Sequence, residues 1–243
     1  MIIIGNKIMD SIKGNGDITS IEIETSAFDK ITNKSQGDVR YHKSDVCRAV
    51  LTIDSNLTEY FKVFTKADEL VFKQEPNLNY SPTECLLDVY APTICMYHLK
   101  GSGDFETSDS IDTNDFDLVI DGSGDSVFDK ITSNNLNLEI KGSGDIQISA
   151  VNQNTSIDIK GSGDVNISGK TQNASITIKG SGNIKAKDFK TDTAHISIMG
   201  SGDVSMHVEK DIDASIFGSG DIKYSGSPSV KSKIFGSGDV RKR

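Results

Sequence analysis

The chain has 243 residues, of which 35% are hydrophobic, and its 26 basic and 35 acidic side chains give a formal net charge of −9. This length excludes a mini-protein that depends on disulfides or a metal for stability, and the acidic balance argues against nucleic-acid binding, which needs a basic surface to neutralise phosphates. Tryptophan is absent and glycine outnumbers proline by 22 to 4, a composition that favours strands and turns over helices.

The start of the chain, MIIIGNKIMDSIKGNGD, has four apolar residues together, no basic stretch before them and no small-residue cleavage site. It is therefore not typical of a secretory signal. If the natural protein is exported, we expect its leader to have been removed from this chain. Elsewhere no run approaches the ~20 apolar residues of a membrane span, so no membrane span is predicted.

Residues 1–100 are predicted to form an irregular, β-rich N-terminal part. They hold two degenerate copies of a tetrapeptide that dominates the rest of the chain, GNGD at Gly14 and SQGD at Ser35. The pentapeptide FDKIT also occurs twice, at Phe28–Thr32 and Phe128–Thr132. Residues 39–99 interrupt the repeat, and we expect this segment to cover one end of the fold, as a solenoid requires of its terminal unit.

The interrupting segment contains one predicted short helix and several predicted strands. Ser55 precedes Leu57 and Tyr60 at a spacing that suits a short helix with Ser55 as its cap. The strands predicted here are Val46–Ile53, Leu70–Phe72 and Leu86–Tyr90.

No metal site, cofactor or catalytic centre is predicted. The three cysteines lack CxxC spacing and the four histidines are scattered, so we interpret the cysteines as small buried hydrophobes. The sequence also has no GxSxG or HExxH motif. The cysteines are Cys47, Cys85 and Cys95.

Residues 101–243 are dominated by a single repeat, the tetrapeptide GSGD with one GSGN variant. Successive copies begin 18 to 21 residues apart, and the eight copies hold 16 of the 22 glycines, which chance composition does not explain. The copies begin at Gly101, Gly122, Gly142, Gly161, Gly180, Gly200, Gly218 and Gly236.

Apolar residues alternate with polar ones on both sides of each copy, the pattern of a half-buried strand. Counting in twos through the copy at Gly161 places both of its glycines on the same face as the flanking isoleucines and valine. Glycines on that face suit a tight inner corner, because they have no Cβ and permit positive φ. The residues predicted to point inwards include Ile159, Val165, Ile178 and Ile184.

Two all-β architectures fit this repeat, a parallel β-helix with one coil per repeat and an antiparallel meander with one hairpin per repeat. We favour the single-stranded parallel β-helix, because a hairpin turn has no inside and outside parity to maintain, whereas here the parity continues through the corner. Parallel crossovers are overwhelmingly right-handed, so a right-handed helix is expected. Eight coils at about 4.8 Å each give a length of roughly 38 Å.

Stacked corners would form ladders of glycines and aspartates. Acidic, glycine-rich repeats bind calcium in other β-rolls, but the Asn183 variant favours a structural ladder, since an amide oxygen accepts a backbone proton and weakens a cation site. Lysines such as Lys141 and Lys160 are expected to supply counter-charge. The predicted structural ladder includes Gly101, Gly103, Asp104, Gly142, Gly144, Asp145, Gly161, Gly163, Asp164, Gly200, Gly202 and Asp203.

Two other stacked rows follow from the repeat. One consists of asparagines seven residues before their corners, which we expect to satisfy the backbone of the second turn; these are Asn135, Asn154 and Asn173. The other is the outward row just before the corners, which changes from charged residues to Met199, Phe217 and Phe235. We expect no segment after Arg243 to cover these three side chains. They are therefore a candidate surface for self-association or partner docking, or they pack on each other.

Several of these motifs together resemble the auto-transporter adhesin head GIN domain family, whose biochemical function is unknown. The resemblance covers residues 14–243. It implies a β-helical, extracytoplasmic domain, usually behind a secretion or lipoprotein leader, with adhesion suggested by shape, and it brings no catalytic residues. The motifs are SAFDKI with the following SQGDV, the strand and short helix of Val46–Phe64, DVYAPTI at Asp88–Ile94 and the GSGD series.

The sequence thus predicts a non-enzymatic, exported β-helical domain for adhesion or surface interaction, in the periplasm or at the cell surface. Its partner would be a protein or a glycan at the cell surface, with self-association through the C-terminal coils as a further possibility. Two alternatives stay open. One is a carbohydrate-binding or carbohydrate-degrading β-helix protein, and the other is a purely structural scaffold.

Overall fold

Buried and exposed side chains alternate along the strands of the repeat region, as the period of two predicts. In the computed structural model these strands stack in parallel into a β-solenoid of about seven turns, which confirms the parallel β-helix and excludes the antiparallel meander. The structure describes the backbone of residues 3–4 and 7–8 and all of residues 11–243. The prediction about a leader concerns the start of the chain, most of which lies outside the described residues.

Among the residues that the structure describes, twelve strands and one 3-10 turn, Ser55–Leu57, precede the first GSGD corner. The strands are β1 Ile3–Ile4, β2 Lys7–Ile8, β3 Ile12–Lys13, β4 Ile18–Ile23, β5 Lys30–Lys34, β6 Asp38–Lys43, β7 Arg48–Asp54, β8 Phe61–Lys66, β9 Glu69–Gln74, β10 Tyr80–Ser81, β11 Cys85–Ala91 and β12 Met96–Leu99.

Twelve strands follow, and three of them are long because they continue around the second turn of their coil. They are β13 Phe105–Asp112, β14 Asp115–Ile120, β15 Ser126–Thr132, β16 Asn135–Ile140, β17 Ile146–Val151, β18 Asn154–Ile159, β19 Val165–Ile178, β20 Ile184–Gly200, β21 Val204–Gly218, β22 Ile222–Ser225, β23 Ser229–Gly236 and β24 Val240–Lys242.

The solenoid has two parallel sheets that meet at the corners. Sheet A contains the strands before each corner, in the order β5, β12, β14, β16 and β18, followed by the second halves of β19, β20 and β21 and by β23. Sheet B contains the strands after each corner, beginning β6, β13, β15 and β17 and ending β22 and β24. The degenerate SQGD copy therefore forms the first corner of the stack.

The segment between SQGD and the first GSGD covers the N-terminal end of both sheets, as predicted. On sheet A, β9 pairs with β5 and forms a hairpin with β8. On sheet B, β11 pairs with β6, and the antiparallel strands β7 and β4 follow outwards. Strand β12 then pairs with β5, so that the corner at Gly101 stacks directly on the corner at Ser35.

Two details of the N-terminal part differ from prediction, and the structure also separates the two FDKIT copies. GNGD is not a corner of the stack, because the strand after it is antiparallel to β7 and Asp17 accepts a hydrogen bond from Ser55 Oγ. Ser55 does not cap a helix but begins the 3-10 turn Ser55–Leu57, whose N-cap residue is Asp54. The two FDKIT copies are not equivalent, because Lys30 begins a strand of sheet A whereas Phe128 lies in sheet B.

Apolar side chains fill the space between the sheets in one continuous cluster. The four residues predicted to point inwards are at most 1% exposed: Ile159, Val165, Ile178 and Ile184. Aromatic rings occupy the N-terminal coils, where Phe128 stacks on Phe105 at 4.7 Å between centroids and meets Phe116 edge-on at 5.4 Å. Aliphatic side chains predominate in the later coils, which also bury Phe189, and this filled core leaves ligand contacts to the outer faces.

Candidate functional site

The corner glycines lie against the backbone of the preceding coil. A Cβ on Gly163 would overlap the carbonyl oxygen of Gly144 and come within 3.2 Å of Ile140 Cγ2. Positive φ is a lesser reason for these glycines, since among the corners of the described chain only Gly218 and Gly236 adopt it. The corner therefore needs glycine chiefly because two backbones approach closely from coil to coil.

A ladder of hydrogen bonds runs along the outer side of the corners. The backbone N–H of Asp164 donates to Asp145 Oδ1 at 2.7 Å, and the same bond recurs at every corner. Each side chain thereby supplies an acceptor for an N–H on the turning backbone, which would otherwise need another partner. In stacking order the ladder is Asp38, Asp104, Asp125, Asp145, Asp164, Asn183, Asp203, Asp221 and Asp239.

Positive side chains reach this aspartate ladder from sheet B. Lys185 Nζ lies 2.9 Å from Asp164 Oδ2, and Lys223 Nζ lies 3.8 Å from Asp221 Oδ2. Partial burial alone would raise the pKa of Asp164, but hydrogen bonds from Lys185 and from Asn183 outweigh it and hold that pKa below its usual value. This contribution to stability is complete above about pH 3.9 and is lost as the pH falls through the lowered pKa.

The lysines before the corners pair elsewhere. Lys141 Nζ lies 3.0 Å from Glu139 Oε2 and 3.3 Å from Asp121 Oδ1. The other oxygen of Asp121, Oδ2, lies 2.7 Å from His98 Nε2. Lys160 pairs with Glu139 as well. The prediction that these lysines are counter-charges of the aspartate ladder is therefore wrong, because they lie on the outer surface of sheet A, where other carboxylates are nearer.

We propose that the aspartate ladder is structural, and a pair of substitutions tests it. Asp145→Ala is expected to lower the free energy of unfolding by about 1–3 kcal/mol, because it removes the acceptor of the Asp164 N–H. Asp145→Asn retains an acceptor oxygen, as Asn183 does, and is expected to cost less than about 1 kcal/mol. Urea unfolding of both variants measures the difference.

Calcium provides the control for this prediction. A calcium site occupied at 100 times its Kd would add about 2.7 kcal/mol to stability, so EDTA should leave the melting temperature nearly unchanged if the ladder is structural. A calcium-dependent rise of many degrees that disappears in the Asp145→Asn plus Asp164→Asn variant would contradict it, as would equal destabilisation by Asp145→Ala and Asp145→Asn.

The outward row before the corners becomes apolar in the last coils. Met199, Phe217 and Phe235 lie in register on successive coils and are 42%, 51% and 61% exposed. The rings of Phe217 and Phe235 stack at 5.0 Å between centroids. We call these three residues the apolar row; the stacking shows that its members also pack on each other.

A polar groove runs along the edge of sheet A, and sequence reasoning missed it. Its volume is about 830 Å³, and it lies between two rows of outward side chains on six successive coils. The amide row comprises Asp115, Asn135, Asn154, Asn173, Thr193 and Asp211. The serine row, two residues later on each strand, comprises Asp117, Asn137, Ser156, Ser175, His195 and Asp213.

The asparagines of the amide row stack as predicted but bind one another rather than the turn backbone. Asn154 Nδ2 donates to Asn135 Oδ1, and Asn173 Nδ2 donates to Asn154 Oδ1, each at 2.9 Å. They do so because the three asparagines lie in register on successive strands of sheet A with exposed side chains. The short Ser156 and Ser175 beside them were the signal of the groove in the sequence.

Other chemistry-bearing side chains do not converge. Across residues 11–243, no group of three or more His, Cys, Asp or Glu side chains is arranged to hold a metal ion. The described cysteines form no disulfide and are half-buried, and burial raises the pKa of the Cys85 thiol to about 12. In the part of the chain that the structure describes, no helix has the length and apolar character to cross a membrane.

Comparison with known proteins places this geometry in a family. The family model described as "Putative auto-transporter adhesin, head GIN domain" matches residues 27–228. A search of curated proteins found none that matches the chain.

Solved structures share the whole fold. A "putative lipid binding protein" from Parabacteroides distasonis is 29% identical with a TM-score of 0.92, covering 96% of this chain and 100% of that one. A "putative adhesin" from Parabacteroides merdae is 21% identical with a TM-score of 0.90, covering 96% and 99%. Another "putative adhesin" from Parabacteroides distasonis is 23% identical with a TM-score of 0.89, covering 96% and 100%.

Proposed function

Because this chain belongs to the auto-transporter adhesin head GIN domain family, we propose that it is a non-enzymatic adhesion module that acts outside the cytoplasm, in the periplasm or at the cell surface. The proposal is supported by the adhesin description of the family and of two structural relatives. A rigid stack of coils with a filled core suits a module that presents outer surfaces to a partner.

The observation that carries the proposal is the apolar row. Large apolar side chains that are contiguous and exposed mark interaction surfaces more often than isolated ones do. Met199 and Phe217 follow Lys179 in the same outward row, so the row changes from charged to apolar. A partner that binds here would bury the exposed apolar surface of these side chains. That burial is worth roughly 25 cal/mol per Å². We propose that a protein partner at the cell surface binds here.

Replacing both phenylalanines by lysine tests the apolar row. Phe217→Lys plus Phe235→Lys restores the charge of the preceding coils, so the fold should survive, while attachment of protein-coated beads to cell monolayers should fall at least tenfold. Sedimentation velocity of the same variant shows whether the lost partner is a second copy of this chain. Lys179→Ala, which removes a charged side chain from the same row, is the matched control and should attach like the parent.

Two results would contradict the proposal. If the double variant unfolds in a circular-dichroism melt, the phenylalanines belong to the core. If it stays folded and attaches like the parent, the contact surface lies elsewhere. Binding of the parent to lipid vesicles in place of protein-bearing surfaces would favour the lipid ligand named for one relative.

A further inference from the structure

We infer that the polar groove of sheet A binds an extended, uncharged polysaccharide chain. This goes beyond the proposed function, since the groove and the apolar row are separate surfaces. The groove is lined by the amide row and the serine row and by four residues between them, and it spans six coils; the four are Leu136, Thr155, Ala174 and Ala194. At about 4.8 Å per coil the groove is roughly 24 Å long, which suits a linear ligand lying parallel to the solenoid axis.

The three asparagines of the amide row, Asn135, Asn154 and Asn173, offer the same hydrogen-bonding groups on three successive coils. A carboxamide has two N–H donors and two acceptor lone pairs. In Asn154, one N–H is donated to Asn135 and one lone pair receives Asn173. The exposed side chain keeps one donor and one acceptor for a ligand. Sugar hydroxyls both donate and accept, so a polysaccharide satisfies such a row, and the spacing between coils is close to the length of one sugar unit in an extended chain.

Charge selects among polysaccharides. The groove has carboxylates at both ends, Asp115 and Asp117 on the first coil and Asp211 and Asp213 on the last, and the coils between them carry no carboxylate or lysine in either row. Carboxylates repel the sulfates, phosphates and uronates of acidic glycans. An uncharged chain avoids that repulsion.

The adjoining part of sheet A does not offer the same surface. The next outward row contains Glu139 and Asp158, whose carboxylates pair with Lys141 and Lys160. In these ion pairs the polar groups bind one another, whereas the asparagines of the amide row keep donors and acceptors for a ligand. On these two coils the ion pairs place charge beside the serine row, whereas the later members of this outward row, Thr177, Ser197 and Ser215, are uncharged.

Length dependence is the first test. Isothermal titration calorimetry of the full chain would use cello-, manno- and laminari-oligosaccharides of two to eight units, with heparin-derived and galacturonate oligosaccharides as anionic probes. Each hydrogen bond formed in exchange for water contributes little, so affinity should rise with length until the groove is filled, at about five units, and then level off. Failure of every neutral series to bind at millimolar concentration, or preference for the anionic probes, would overturn the inference.

Blocking the groove is the second test. Ser156→Tyr plus Ser175→Tyr fills the middle of the groove and leaves the amide row intact, so neutral oligosaccharide affinity should fall at least tenfold. The matched control is Ser162→Tyr plus Ser181→Tyr, the same change at exposed corner positions of consecutive coils, which should bind like the parent. Undiminished binding by the groove variant would overturn the inference. Phe217→Lys plus Phe235→Lys should keep oligosaccharide binding, so the two proposals can fail separately.

Discussion

Gly163→Ala is expected to lower the free energy of unfolding by about 3 kcal/mol, and Gly163→Val by more. The added Cβ would overlap the carbonyl oxygen of Gly144, and it cannot move away, because Ile140 lies 3.2 Å behind it. Relief requires the two coils to separate, which weakens the parallel hydrogen bonds on both sides of the corner. Urea unfolding followed by circular dichroism measures the loss.

Ser162→Ala is the matched control, because Ser162 lies between the two glycines of the same corner with its side chain exposed. Its backbone N–H, which donates to Gly142 O at 3.1 Å, is unaffected by the change. We expect this variant to remain within about 0.5 kcal/mol of the parent. A Gly163→Ala protein that unfolds with the parent would show that the coils do not require glycine contact at this corner.

The repeat predicted the architecture because it specifies a local rule that is applied many times. The alternation of inward and outward residues continues through each corner and decides which side chains point inwards. If the alternation were assigned wrongly at one coil, the residues of the next coil would not fit it. The same rule identified the degenerate corner at Ser35. The next corner in the stack is at Gly101, well beyond the usual repeat length along the chain. The sequence predicted that the intervening segment covers one end of the fold but not how its strands pair, because their pairing with β5 and β6 falls outside the repeat and leaves no periodic signal.

Prediction failed where a motif occurred without its context. GNGD at Gly14 has the letters of a corner but not the flanking parallel strands, and the short helix at Ser55 is reduced to one 3-10 turn because strands β7 and β8 on either side constrain it. The groove was missed for a different reason. It depends on two rows that only stacking brings together, and each row taken alone resembles ordinary surface serines and asparagines.

The aromatic part of the core should be the most sensitive to loss of volume, and Phe128→Ala is expected to cost about 3–5 kcal/mol. Phe128 is 2% exposed, and its ring contacts both Phe105 and Phe116, so removal leaves a cavity between two sheets that cannot close without shifting several coils. Because each coil contacts only its neighbours, native-state hydrogen exchange should locate the loss of protection in β13–β17.

Val127→Ala distinguishes this cavity effect from a general sensitivity of strand β15. Val127 is the adjacent residue, points outwards and is 40% exposed, so its truncation should cost less than about 1 kcal/mol. Phe128→Leu should fall between the two, because leucine fills part of the space without the ring contacts. If Phe128→Ala and Val127→Ala lose equal stability, or if protection is lost uniformly along the solenoid, the aromatic stack is not the local anchor of these coils.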